Sequence, residues 1–194
     1  MAGFEQIYAW LDPVLMLGFG LISPPWAGFL FGLFLSALVV TLVGELTFGA
    51  VYVFNRRHYA DISREMTAHH NLAVRALAVK DKTSYVACNR LANEAFGKNF
   101  FSHIALFASS LWPVPFMLGW LDYRFGPVAL NLPVAGEVGP AFAFIPLYIC
   151  VRIGFSRVRG RVPVFRQIKE MIDETEHPEK VLHYTDIPHL AQNR

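Results

Sequence analysis

Three long stretches of this chain carry almost no charge. No Asp, Glu, Lys or Arg lies between Asp12 and Glu45 or between Lys98 and Asp122, and Glu137 is the one charge between Arg124 and Arg152. A helix needs about 20 apolar residues to cross the hydrocarbon core of a bilayer, and each stretch is long enough. Hydrocarbon offers no partner to an exposed amide or carbonyl, so a spanning segment is a helix or part of a closed barrel. Barrel strands alternate over short segments, whereas runs such as LFLSALVVTLVG are continuously apolar. Helices follow. Charged residues make up 16 % of the chain, against roughly 25 % in soluble domains, and the mean hydropathy of +0.36 agrees.

The expected fold is an all-α polytopic membrane protein, with three transmembrane helices and a cytosolic helical hairpin between the first and the second. Residues 1–25 read as an N-terminal segment lying along the bilayer surface. Pro13, Gly18 and Gly20 weaken a regular helix there, and Tyr8 and Trp10 suit interfacial depth. The rival reading makes this segment a fourth span. Residues 26–55 form the first span, with Pro25 well placed at a helix start. The polar stretch 56–98 contains no proline. Ile62, Met66, Ala73 and Leu77 recur at helical spacing on one side of Lys80-Asp81-Lys82, and Tyr85, Cys88, Ala92 and Phe96 on the other. Two antiparallel helices would bury both stripes, with Thr83 capping the second; a single long helix is the alternative. Residues 99–121 form a second span kinked by Pro113 and Pro115, where Ser109 and Ser110 can serve freed backbone groups and Trp112 and Trp120 can sit near an interface. A connecting loop over 122–137 leads to the third span, 138–156, whose Arg152 is expected to snorkel toward water. The tail, 157–194, opens with an amphipathic helix around Ile168, Met171 and Ile172 and ends extended or disordered.

Lys and Arg flank the hairpin and the tail but are nearly missing from the first 25 residues and from the 122–137 loop. The positive-inside rule then puts the N-terminus outside and the hairpin and tail in the cytosol, in a bacterial or archaeal plasma membrane. Without a basic n-region, the N-terminus reads as a retained anchor rather than a cleaved signal. The formal net charge of +2 is too small to imply binding to DNA.

Glu45 is the residue that most calls for a function, because a carboxylate inside a bilayer is costly and faces protein or water. It would form the polar wall of a groove or ion path, pair within an assembly, or reach the headgroups. The hairpin is either a docking surface or a solvated stalk. The histidines (His58, His69, His70 and His103, with His177, His183 and His189 in the tail) form no HExxH or other ligand set. Cys88 and Cys150 lie in a polar and an apolar segment and are not expected to pair. No nucleophile elbow, phosphate-binding glycine loop or dinucleotide fingerprint is present. An enzyme is disfavoured, and no cofactor is expected.

A span, a charged hairpin NRRHYADISREMTAHHNLAVRALAVKDKTSYVACNRLANEAFGK and two further spans, preceded by QIYAWLDPVLM as a peripheral helix, resemble the core layout of the Oxa1/YidC/EMC3 insertase superfamily. The resemblance covers roughly residues 7–157 and is one of layout. It implies a hydrophilic groove, open to lipid and cytosol, that receives short translocated segments of client membrane proteins, with the ribosome as a further partner. Bacterial members often carry a groove arginine in the first span; here Glu45 is that span's only charge. The resemblance implies that Glu45, Arg56 and Arg57 line the groove and that Lys98 and His103 approach it. The alternative is a non-catalytic accessory subunit of a larger membrane complex, and a small transporter is a third class.

Overall fold

The computed structural model describes residues 2–127, 130–132, 136–176, 181–183 and 185. The elements are α1 (Ala2–Leu15), α2 (Pro25–Phe54), α3 (Arg56–Ala78), α4 (Lys82–Ala108), α5 (Pro113–Phe125), β1 (Leu130–Leu132), β2 (Gly136–Val138), α6 (Pro140–Val158) and α7 (Pro163–Glu176). Among the described residues, three helical stretches are long and apolar enough to cross a membrane: Pro25–Phe54, Lys82–Phe125 and Pro140–Arg161. That helix content marks an integral membrane protein. α1, at 14 residues, is too short to be counted with them. Among the described residues the departure from an all-α chain is a small ribbon that reaches from the expected loop into the first residue of the expected third span, where Leu130 pairs with Val138 and Leu132 with Gly136 in antiparallel register.

The chain divides into two compact units. The first holds residues 1–48 and 109–162, the second 49–108 and 163–194.

In the first unit, Leu33, Ala37 and Val40 of α2, Met117, Trp120 and Leu121 of α5, and Phe144 and Tyr148 of α6 form one buried core. α1 is fastened to α5. Tyr8 meets the rings of Phe116 and Tyr123 at 5.1 and 5.8 Å. Asp12 accepts the Trp120 indole N–H at 3.2 Å and pairs with Arg124 at 3.6 Å. Trp120 is fully buried, and its polar edge is spent on Asp12. Phe142, Ile145, Ile149 and Ile153 leave an exposed apolar stripe along α6, the kind of face hydrocarbon covers.

The second span is broken rather than kinked. α4 ends at Ala108, a turn covers 109–112, and α5 restarts with Pro113 in its first turn, where a missing amide hydrogen costs nothing. No break separates hairpin from span at residue 98, since α4 runs unbroken from Lys82 to Ala108.

In the second unit α3 and α4 pair as the expected antiparallel hairpin, excluding the single long helix. Lys98 meets Glu65 at 3.1 Å, and the Asn99 amide reaches the Met66 sulfur at 3.9 Å. Of the expected stripe residues Ile62, Ala73 and Ala92 are buried, together with Ser63, Thr67, Val74 and Ala95, whereas Leu77 and Phe96 are exposed. The small residues among the buried ones let two helix backbones come close. The turn follows the Schellman pattern. Asp81 N–H donates to Ala76 O, Lys80 N–H to Leu77 O, and Lys80 holds a left-handed φ of 58°. The cap of α4 is Asp81, not Thr83: its carboxylate accepts from Ser84 N–H at 3.0 Å and from Ser84 Oγ at 2.6 Å. The expected amphipathic tail helix is α7; its Ile168 packs where Gly49 of α2 has no side chain. Beyond it, the Leu182 backbone is held on α3, its N–H by Asn71 Oδ1 at 2.8 Å and its carbonyl against His70 Nε2 at 3.0 Å. Most of the expected extended end, and His177 and His189, lie outside the described residues.

Candidate functional site: a carboxylate held by two guanidinium groups

Glu45 sits in the first unit, on α2. Each of its carboxylate oxygens faces a different arginine from the end of α6. Oε1 lies 4.0 Å from Arg152 Nη2, and Oε2 accepts from Arg159 Nη1 at 3.3 Å. The Glu45 and Arg152 side chains are 12 % and 19 % exposed. At that burial a lone charge carries a large desolvation cost, which an opposite charge offsets only with good geometry and further hydrogen bonds.

The further bonds are present. Arg152 Nη1 donates to Tyr148 Oη and Nη2 to Ser110 Oγ, both at 2.6 Å. Tyr148 is one helical turn before Arg152 on α6, so its hydroxyl and the guanidinium share a face. Ser110 comes from the break between α4 and α5. The break is seated against α2 in two ways. At Gly44 a Cβ would overlap the Ser110 carbonyl, so glycine is what allows the approach. One turn along, Thr47 Oγ1 accepts the Trp112 indole N–H at 3.1 Å while donating to Val43 O at 2.9 Å. The prolines that end one helix and start the next thus deliver a serine to an arginine.

Arg152 does not snorkel; it is turned inward. Arg152, Arg159, Ser110 and Tyr148 were missed as site residues from sequence. The available signal was the pairing of types: a carboxylate late in one span and a guanidinium late in another, both short of their flanking charges.

The other four candidates lie in the second unit. Arg56 donates from Nε to Thr175 Oγ1 at 3.0 Å and, with Arg57, lines a cavity of about 500 Å³. Lys98 is used in its ion pair with Glu65, both side chains well exposed. His103 has Nδ1 2.9 Å from Asn99 O and its ring 5.7 Å from that of Tyr59, which itself stacks on Tyr52 at 5.2 Å. The structure therefore brings Arg56 and Arg57 together and gives Lys98 and His103 local partners.

Among the described residues no three His, Cys, Asp or Glu side chains are grouped to hold a metal ion, and the thiols of Cys88 and Cys150 are free. The cluster around Glu45 joins a carboxylate, two guanidinium groups and two hydroxyls. What it offers chemically is charge and hydrogen-bonding capacity set among apolar helices. No family model matches the chain, and neither the curated proteins nor the solved structures contain a match to it.

Proposed function

We propose that the chain is an insertase-like factor of a bacterial or archaeal plasma membrane, guiding short polar segments of client proteins across the bilayer at the Glu45–Arg152–Arg159 cluster. The observation that carries the reading is that cluster itself: two guanidinium groups and one carboxylate, tied to Ser110 and Tyr148, on helices long and apolar enough to span. A polar segment entering hydrocarbon must leave water behind, and polar partners at depth lower that barrier. With two positive charges against one negative, the cluster favours an acidic or carbonyl-rich segment.

The charge of Glu45 is met within the chain. Arg152 and Arg159 carry the two opposing charges. The exposed stripe of Ile149 and Ile153 beside Arg152 suits a client helix that slides out into lipid. By the positive-inside rule the hairpin and tail face the cytosol, where the hairpin would meet a ribosome or an emerging chain.

The test places a photoreactive amino acid at position 149 in the full-length chain within native membranes. Crosslinks to many different nascent membrane proteins are the expected result. Crosslinks to one unrelated membrane protein at fixed stoichiometry would replace this reading with that of an accessory subunit.

A further inference from the structure

α2 is 30 residues long, about 45 Å at the helical rise, which matches a bilayer with its headgroup layers included. Its last residues, Val53 and Phe54, are apolar and 46 % and 88 % exposed. Arg56 and Arg57 follow after a single residue. Exposed apolar and cationic side chains are therefore side by side at the end of the span, where the helix meets the headgroup layer.

At this point there are two openings. One, of about 530 Å³, runs along Val53 and Phe54 to Arg56 and Arg57. The other, of about 500 Å³, is lined by Arg56, Arg57, Arg64, Asp61, Glu174 and Thr175, with Ala60 between them. Arg56 and Arg57 border both. Arg57, Asp61 and Arg64 recur at helical spacing on α3, so their side chains share a face. Arg56 is fixed by its Nε bond to Thr175 Oγ1, which in turn donates to Met171 O at 2.6 Å. That bond leaves the terminal guanidinium nitrogens as donors. Among the described residues none of Arg56, Arg57 and Arg64 is in an ion pair, although two carboxylates line the same cavity.

We propose that this cavity binds the phosphodiester headgroup of an anionic phospholipid, with the lipid's acyl chain lying on Val53 and Phe54. Three arginines against Asp61 and Glu174 leave the lining one positive charge in excess, and a single phosphodiester brings it to neutrality. Guanidinium groups suit a phosphate because their donors match its oxygens in pairs. The adjacent apolar wall selects a lipid over a soluble phosphate. Zwitterionic lipids bring a cation with their phosphate and gain less. The site depends on the chain being a membrane protein and is independent of any insertase activity.

The test uses the full-length chain in neutral detergent, titrated with phosphatidylglycerol, phosphatidylcholine and inorganic phosphate and read by native mass spectrometry. Phosphatidylglycerol is expected to bind well above phosphatidylcholine. Each arginine near an anionic surface contributes about 1 kcal/mol, roughly fivefold in affinity. Arg64→Gln should therefore weaken phosphatidylglycerol binding about fivefold and Arg57→Gln with Arg64→Gln further, while Arg64→Lys retains most of it. Phe54→Ser should weaken lipid binding and leave inorganic phosphate unaffected. Folding of each variant is checked by the helical circular dichroism of the same sample. Equal binding of the two lipids, or unchanged phosphatidylglycerol binding in the folded double variant, would overturn the proposal. Inorganic phosphate competing as well as the lipid would overturn it in favour of a soluble phosphate ester.

Discussion

Arg152 on α6 donates to the hydroxyl of Ser110, a residue in the break of the second span, at 2.6 Å. Through this bond the interrupted span and the third span hold one charge in place beside Glu45. The same guanidinium also meets Tyr148, so its orientation is set from two directions before any carboxylate is considered. That geometry distinguishes structural from functional roles by mutation.

Removing only Arg152 leaves Glu45 with Arg159 alone and deprives Ser110 and Tyr148 of a charged donor. Arg152→Met should destabilise the full chain in detergent by about 2 kcal/mol, the order expected when a buried partner is lost. Replacing Glu45 and Arg152 together by Met removes both the charges and their desolvation cost, and such apolar replacements are often neutral or stabilising. The double variant should melt near the wild type, yet lose insertion of clients with acidic translocated segments. A double variant that inserts such clients at the wild-type rate would make the cluster purely structural.

Two glycines make a matched pair. At Gly44 a Cβ would overlap the Ser110 carbonyl, a backbone atom that cannot swing aside, whereas at Gly97, within α4, it would meet nothing within 4 Å. Gly44→Ala should destabilise by about 1–3 kcal/mol, the usual penalty of overpacking, and Gly97→Ala should stabilise by about 0.5–1 kcal/mol through the unfolded chain and helix propensity. Thermal unfolding of the two variants in the same detergent checks both signs.

The unequal legibility of the two units has a physical basis. Spanning helices announce themselves because hydrocarbon demands about 20 apolar residues in a row, and the prolines at 113 and 115 announced trouble in the second span. Glu45 stood out for being charged among apolar neighbours. Its partners did not, because pairing Glu45 with Arg152 and Arg159 requires knowing that α2 and the end of α6 come together, a long-range fact that no local pattern carries. In the hairpin the periodicity was readable and placed Ile62, Ala73 and Ala92 among the buried residues, but Leu77 and Phe96 are exposed and Ser63, Thr67 and Ala95 are buried instead. The ribbon at 130–138 escaped because its strands are three residues each, too short for an alternating pattern to register.

The hairpin turn puts a lysine where glycine is favoured. Lys80 occupies the left-handed region at φ 58°, which costs a residue with a Cβ roughly 1–2 kcal/mol. Lys80→Gly relieves that strain while giving the unfolded chain more freedom, so a net gain of about 0.5 kcal/mol is expected. Lys80→Val, branched at Cβ, should destabilise by more than the glycine gains. Chemical denaturation of the three full-length proteins, or amide exchange at Lys80 and Asp81, reads the order Gly, Lys, Val.

Asp81 makes the same turn sensitive to acid. Its hydrogen bonds from the Ser84 hydroxyl, from the Ser84 amide and from the Thr83 amide hold its carboxyl below the ordinary 3.8, against a smaller opposing effect of burial. A carboxyl lowered in the folded state binds its proton more readily when unfolded. It therefore contributes stability that is fully present above about 3.8, the ordinary value, and is lost as the pH falls through the lower, folded one. The wild type should lose hairpin stability below about pH 4, seen as falling amide protection at Ser84 and Tyr85 relative to the intrinsic exchange rate at each pH. Asp81→Asn keeps a capping acceptor without a titrating group, so its protection there should stay flat over the same range. Asp81→Ala should exchange faster at every pH. If Asp81→Asn follows the wild type downward, the acid response belongs to another carboxylate and the cap is not the turn's pH-sensitive element.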